Sequence, residues 1–252
     1  MKILVIGGAG YIGSHVTYEL CDQGYNVTVL DNLSTGFIEN VDKRTNFIKD
    51  SFTNQNIIKK VLKDVDCVIH LAALKAAGES MENPIKYSKH NIIDSISLIN
   101  SCVENNIDKF IFSSTAAVYG LPQYKPIDEK HPLEPINYYG FTKLIIENQL
   151  RWFSQIKNLK VACLRYFNAA GYDVNNRVTM KEKNPQNLIP IVMEVASNLR
   201  DKINIFGGDY NTADGTCLRD YIHVNDLARG HVKAIEKLDL FEKITTNLAT
   251  GK

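Results

Sequence analysis

The chain has 252 residues, 44% of them hydrophobic, and 29 lysines and arginines offset 28 aspartates and glutamates to leave a formal charge of +1. That is enough apolar material for a full core, and without a long basic or acidic block neither nucleic acid nor a membrane surface is an expected partner. The longest apolar runs are strand-sized, and Met1-Lys2 leads into a strand with no signal-peptide layout. The cysteines Cys21, Cys67, Cys102, Cys163 and Cys217 form no C-x-x-C pair. A cytoplasmic protein with reduced, mostly buried thiols is expected.

Lys2 to Ile6 reads as a buried strand, and from Ile12 the apolar positions Ile12, Val16 and Leu20 recur at helical spacing. The turn between carries Gly7, Gly10 and Gly13, a G-x-x-G-x-x-G form of the dinucleotide fingerprint. Its glycines serve a tight turn, close approach to a pyrophosphate and close helix–sheet packing. The plain alternative is a strand–helix turn without a ligand. A second strand, Tyr25 to Leu30, ends at Asp31, near the spacing at which a carboxylate reaches the adenosine ribose hydroxyls, which favours NAD over NADP.

Asn32, Leu33, Ser34, Thr35 and Gly36 follow as a polar loop placed to cover the adenosine. Thr45 to Ile48 is a third strand, after which Asp50 either meets the adenine amino group or caps a helix from about Asn54 to Leu62. Asp66 to Leu71 is a fourth strand running into the small residues of Ala72–Ser80, suited to close packing on a cofactor and equally to a crowded loop. A helical pattern runs from Pro84 to about Asn105. Strand five, Lys109 to Phe112, leads into Ser113, Ser114 and Thr115. After a proline-punctuated loop, a helix opens at Tyr138 and reaches about Phe153, and Val161 to Leu164 is a sixth strand. Alternating strands and helices give an α/β, doubly wound parallel sheet of Rossmann type. Beyond residue 168 the pattern loosens into a helix near Leu188 to Leu199, INIFGGDY, RDYIH, a helix from Asn225 to Leu238, and one further strand, Thr245 to Leu248. Two portions are expected: an NAD-binding domain over 1–168, and a smaller, incomplete substrate-binding portion over 169–252, interleaved with the last sheet strands.

Tyr139 and Lys143 lie four apart in the first turns of their helix and project from one face. With twelve tyrosines in the chain, that spacing arises by chance about once, so position after strand five and its hydroxyl residue Thr115 carries the weight. The plain alternative is an exposed pair on a solvated helix. A phenol titrates near ~10, and an adjacent ammonium and a positive nicotinamide both favour phenolate, so the tyrosine can act as a base. Thr115 is placed to share the substrate hydroxyl bond. Proton removal from an alcohol coupled to hydride loss to NAD is the chemistry this supports. No metal site is expected.

The blocks GGAGYIG, SSTAAVYG, YYGFTK, LRYFNAAG and GTCLRDYIHVNDLA resemble the extended short-chain dehydrogenase/reductase family, and within it the branch that inverts C4 of UDP-hexoses, interconverting UDP-glucose and UDP-galactose. The resemblance implies Tyr139 as base, Lys143 on the nicotinamide ribose, Thr115 as the bridging hydroxyl, and a retained NAD that takes and returns hydride through a 4-keto sugar. It implies cofactor contacts at Tyr11, Ile12, Asp31 to Gly36, Asp50, Ser51, Leu71, Ala72, Ala73, Lys75, Asn91 and Phe167. UDP-sugar contacts fall at Lys75, Asn168, Asn187, Leu188, a strand over Asn204, Ile205 and Phe206, and Arg219, for which a surface ion pair with Asp220 is the plain alternative. Related dehydratases carry Asp-Glu where this chain has Ala116-Ala117, which removes the acid–base pair that elimination needs. Departures are Thr115 for serine, Ala117 for threonine and His90 before Asn91. Family members continue for several dozen residues past the position of Lys252, so a C-terminally shortened chain is expected. A homodimer through the helices from Pro84 and Tyr139 is implied. The alternatives are a UDP-glucuronate 4-epimerase or decarboxylase, and an inactive NAD-binding fragment.

Overall fold

A computed structural model describes residues 1–180, 185–205 and 207–251. The chain runs β1 (Lys2–Ile6), α1 (Tyr11–Asp22), β2 (Asn26–Asp31), β3 (Asn46–Lys49), α2 (Gln55–Val61), β4 (Cys67–His70), α3 (Ala77–Glu82), α4 (Pro84–Tyr87), α5 (Asp94–Glu104) and β5 (Lys109–Thr115). It continues through α6 (Tyr138–Lys157), β6 (Lys160–Tyr166), β7 (Asn168–Ala170), α7 (Leu188–Ala196), β8 (Tyr221–His223), α8 (Val224–Lys237) and β9 (Lys243–Leu248).

Seven strands form one sheet in the order β3-β2-β1-β4-β5-β6-β9, every neighbouring pair parallel. A parallel sheet is covered on both faces, which is why KILVI is a continuous apolar run rather than an alternating one. Ile3 and Val5 face the layer of α1 and α8, with Val16, Leu20, Leu227 and Ile235. Leu4 and Ile6 face the layer of α2, α5 and α6, with Ile58, Leu98, Ile146 and Leu150. From β1 the chain winds outward through β2 and β3, then returns to wind the other way through β4, β5 and β6. Strand order therefore reverses between β1 and β4, and the crevice at those carboxyl ends is where such sheets bind ligands. β9 joins the sheet beside β6 after α8 has crossed the α1 face, and β7 and β8 form a separate parallel pair.

Local chemistry sets the boundaries. Asn54 caps α2 through the Asn56 amide, Asn137 caps α6 through Gly140 N at 2.8 Å, and α6 ends at Asn158 in the left-handed conformation. Four elements differ from the sequence reading. β5 runs to Thr115 because Ser113–Thr115 pair with Leu164–Tyr166 of β6. Part of the small-residue loop after β4 is helical as α3. The run from Pro84 is broken by a π-helical stretch at Ser88–Ile93. Asn204 and Ile205 are irregular chain, with no neighbouring strand among the described residues to pair with; Phe206 lies outside them. Cys67, Cys102 and Cys163 are buried, Cys21 and Cys217 half-buried, and all five are free thiols.

Candidate functional site

The glycine loop closes over the carboxyl end of β1. Gly7 has φ +86°, and its amide donates to Leu30 O at 2.9 Å. A Cβ on Gly13 would stand 2.0 Å from Gly7 O, so α1 starts directly against the turn. A Cβ on Gly10 meets nothing closer than Gly7 O at 3.4 Å, which leaves open space where a pyrophosphate is expected. No side chain caps α1 and no acidic residue occupies its first turn, so nothing in that turn itself offsets its positive dipole end. The loop and helix fit a dinucleotide.

Asp31 ends β2 with its carboxylate turned back on the loop, accepting from Ala9 N at 3.0 Å and Leu33 N at 2.8 Å. Those bonds use two of its lone pairs and leave acceptor capacity for ribose hydroxyls. Asn32 accepts from Ser34 N at 3.0 Å, and Gly36 is pressed against the Ala9 backbone. Thr35 lies within the same turn. The two options for Asp50 separate here: Asn54 is the helix cap, while Asp50 accepts from Ser51 N at 2.7 Å and from the Asn54 amide at 3.2 Å.

On the other side of the switch point, Leu71, Ala72 and Ala73 continue β4 out of the sheet, and Leu71 N donates to Ile6 O at 2.9 Å. Lys75 is exposed in this segment. Asn91, 3% exposed within the π-helical stretch, accepts from Leu74 N and donates to Leu74 O, both at 2.9 Å, and donates to Thr142 Oγ1 at 3.2 Å. Both donors of its amide are thus engaged within the chain, and it ties the segment after β4 to α6.

Tyr139, Lys143 and Thr115 converge where α6 meets the carboxyl end of β5. Tyr139 N donates to Ser80 Oγ at 3.0 Å, which seats the first turn of α6 on α3, and the Tyr139 hydroxyl meets that of Thr115. Lys143 is 3% exposed; its ammonium donates to Ser113 O at 2.8 Å and lies 4.7 Å from the centre of the Phe112 ring and 5.9 Å from that of Tyr139. Burial pulls Lys143 down to about 7, against the opposing pull of the Glu147 carboxylate. Burial likewise pushes the Tyr139 phenol up to about 12, with the Thr115 hydrogen bond opposing. The phenolate expected from an adjacent ammonium is therefore not the state of this chain by itself. Lys143 is turned onto the β5 carbonyl, and further positive charge beside the phenol is needed to lower it.

The residues matched to a UDP-sugar are placed differently. Asn168 begins β7 and donates to Asp220 O at 2.8 Å. Asn187 precedes α7 and Leu188 opens it. With Tyr11, whose hydroxyl donates to Gly171 O at 2.5 Å, Asn187 lines an apolar, solvent-open cleft bounded also by Tyr172, Pro190 and Met193. Ile205 and Arg219 are exposed. The Arg219–Asp220 ion pair is absent among the described residues: Arg219 donates to Leu218 O, and Asp220 accepts from Thr250 N and Gly251 N. Phe167 is half-buried, its amide on Leu248 O of β9 at 3.1 Å.

Two side chains went unnoticed in the sequence. Ser113 supplies the acceptors for Lys143, and Glu147, one turn further along α6, forms a buried pair with Arg165. A glutamate four residues beyond a helical lysine on the same face was the available signal for the second.

A doubly wound sheet with a glycine-rich turn, a strand-end aspartate and a buried Tyr–Lys pair beside a strand-end hydroxyl defines a dinucleotide-dependent enzyme of the Rossmann class. The model of the NAD dependent epimerase/dehydratase family matches residues 3–249, and the chain belongs to that family. It is 45% identical to the UDP-glucose 4-epimerase of Halalkalibacterium halodurans over 240 residues, covering 94% of this chain and 72% of that protein. The UDP-glucose 4-epimerase of Brucella ovis in complex with NAD superposes with a TM-score of 0.95 at 41% identity, covering 100% of this chain and 78% of that one. The UDP-glucose 4-epimerase of Bifidobacterium longum in complex with NAD+ and UDP gives 0.95 at 36%, covering 100% and 79%. NAD is the cofactor of the family, and no described helix is long and apolar enough to cross a membrane.

Proposed function

We propose that this protein interconverts UDP-glucose and UDP-galactose by inverting C4 of the hexose. The observation that carries the reading is the placement of Tyr139, Thr115 and Lys143 at the carboxyl end of β5, followed by Ala116-Ala117 in a chain so like UDP-glucose 4-epimerases along its length. NAD, when bound, supplies the hydride acceptor and donor at C4. Gly7, Gly10, Gly13 and the start of α1 hold its pyrophosphate, Asp31 its adenosine ribose, and Lys143 its nicotinamide ribose. Tyr139 takes the O4 proton and returns it once the sugar has presented its other face, with Thr115 sharing that bond. One proton and one hydride leave the substrate and both come back, so no net redox change results. Ala116 and Ala117 offer no acid or base, which disfavours elimination of water.

The portion over 169–252 is assigned to the UDP-sugar, with Asn168, Asn187, Leu188 and Arg219 on the nucleotide; the apolar cleft beside Tyr11 supports that side of the reading. A permanently charged guanidinium suits a diphosphate. A cytoplasmic homodimer completes it: Ile85, Ile93, Trp152 and Ile156 are exposed apolar residues on the helical run from Pro84 and on α6. The test is to incubate the NAD-loaded protein with UDP-galactose, without added nucleotide, and follow UDP-glucose. Interconversion is expected in the wild type and not in Tyr139→Phe. A folded, NAD-loaded protein that leaves UDP-galactose unchanged refutes the reading.

A further inference from the structure

We infer that Glu147, paired with Arg165, is a positioning residue for the Tyr139–Lys143–Thr115 centre, holding the first turns of α6 against the carboxyl ends of β5 and β6. The inference rests on the epimerase reading above and adds two residues to it. Glu147 lies one helical turn past Lys143 and is 8% exposed; Arg165, on β6, is 4% exposed. The carboxylate accepts from Arg165 Nε at 3.0 Å and Nη2 at 2.7 Å, and also from the hydroxyl of Ser114. Ser114 stands between the two β5 residues that serve the centre: Ser113, which receives Lys143, and Thr115, which meets Tyr139. One carboxylate thus binds β5 between its two working residues and anchors the helix that carries the other two groups.

The pair reaches further. Arg165 Nη1 donates to the Tyr119 hydroxyl at 2.9 Å, and that hydroxyl donates to Asn247 Oδ1 at 2.6 Å, so β9 is tied to the same cluster. A bidentate guanidinium–carboxylate pair sets distance and angle together, which a single hydrogen bond does not. It also acts through charge. The ionisable groups around Lys143 are Tyr139 and Glu147 from α6, His70 from β4 and Tyr166 from β6, which meets Ser113, with Cys163 and Arg165 of β6 beside Glu147; burial keeps the Tyr166 phenol and the Cys163 thiol protonated. Burial holds His70 neutral, so the Glu147 carboxylate is the one negative charge among these groups that favours the Lys143 ammonium. Without it, Lys143 loses its proton at lower pH and supports the Tyr139 phenolate less.

Breaking a buried pair by removing one partner strands a charge, whereas replacing both by apolar residues of similar volume is often neutral for stability. The double variant E147M/R165M therefore separates positioning from mere structure, with Glu147→Asp as the conservative comparison. In NAD-loaded protein turning over UDP-galactose, the double variant is expected to keep its NAD and its KM while kcat falls about tenfold or more, as for a group felt mainly in the transition state. The alkaline limb of its pH–kcat profile is expected about one unit lower, and Glu147→Asp recovers part of both. Tyrosinate absorbance of Tyr139, read as the difference from Tyr139→Phe in NAD-loaded protein, is expected to form at higher pH in the double variant. This readout needs no turnover, so the inference is judged even if the wild type proves not to be an epimerase. Wild-type kcat, pH profile and tyrosinate titration in the double variant would overturn it, as would loss of fold or NAD, which would make the pair structural.

Discussion

Adding one methyl group at either of two glycines separates a loop that holds a dinucleotide from one that merely turns. At Gly13 the new Cβ would lie 2.0 Å from Gly7 O and 2.8 Å from both Gly7 C and Gly8 Cα. Restoring ordinary contact at 3.4 Å requires α1 to recede by about 1.4 Å, the difference between those distances. Gly13→Ala is therefore expected to lose about 1–3 kcal/mol of stability by overpacking. Gly10 has φ −76°, a conformation alanine adopts, and its Cβ would touch only Gly7 O at 3.4 Å. Gly10→Ala should then unfold within about 0.5 kcal/mol of wild type. Its methyl fills the space assigned to the pyrophosphate, and a displacement worth about 3 kcal/mol weakens NAD roughly a hundredfold. Urea unfolding of nucleotide-free protein and calorimetric titration with NAD read the two effects separately. Wild-type NAD affinity in Gly10→Ala would refute the reasoning, because the open space would then have no ligand to hold.

Asp31→Asn keeps only one of the two oxygens that accept from the Ala9 and Leu33 amides and loses the charge facing the ribose, so NAD affinity should fall about tenfold and the preference over NADP narrow, read by competitive titration. Acid sensitivity has a named source in two buried histidines. Burial lowers His70 to about 3 and His231 to about 4, so between those values and their ordinary ~6.5 the unfolded chain binds the extra protons. Their contribution is fully present above about pH 6.5 and is lost as pH falls, roughly 3 kcal/mol for each by about pH 4. Urea midpoints should drop over that range, and His70→Gln should reduce the slope. The proposed homodimer is tested by sedimentation: the wild type is expected to run as a dimer, and Trp152→Asp, on the exposed face of α6, as a monomer that retains NAD.

The cofactor half was legible because its signals are local. The β1 run, the three glycines and Asp31 each state a backbone or charge requirement within a few residues, and the structure joins them at one crevice. Tyr139, Lys143 and Thr115 were found by position relative to β5, but the geometry of Lys143 was not. Its bond to the Ser113 carbonyl depends on β5 extending three residues beyond KFIF, which only pairing with β6 decides. The Glu147–Arg165 pair has the same character, since it joins residues from α6 and β6 that sequence cannot bring together. The resemblance implied a strand over Asn204 and Ile205, yet a strand exists only where a partner offers hydrogen bonds, and these two residues are irregular chain. For Arg219 the plain alternative, a surface ion pair with Asp220, is absent among the described residues, because Asp220 is engaged with the backbone of Thr250 and Gly251.

The most direct test follows the hydrogen on C4. UDP-galactose carrying deuterium at that carbon is incubated with NAD-loaded protein in ordinary water, with no nucleotide added, and the UDP-glucose formed is examined by mass spectrometry. Transfer to the bound cofactor and back predicts product that keeps its deuterium at C4. Product in which solvent hydrogen has replaced it would contradict the account, because the hydrogen would then have left as a proton rather than as hydride.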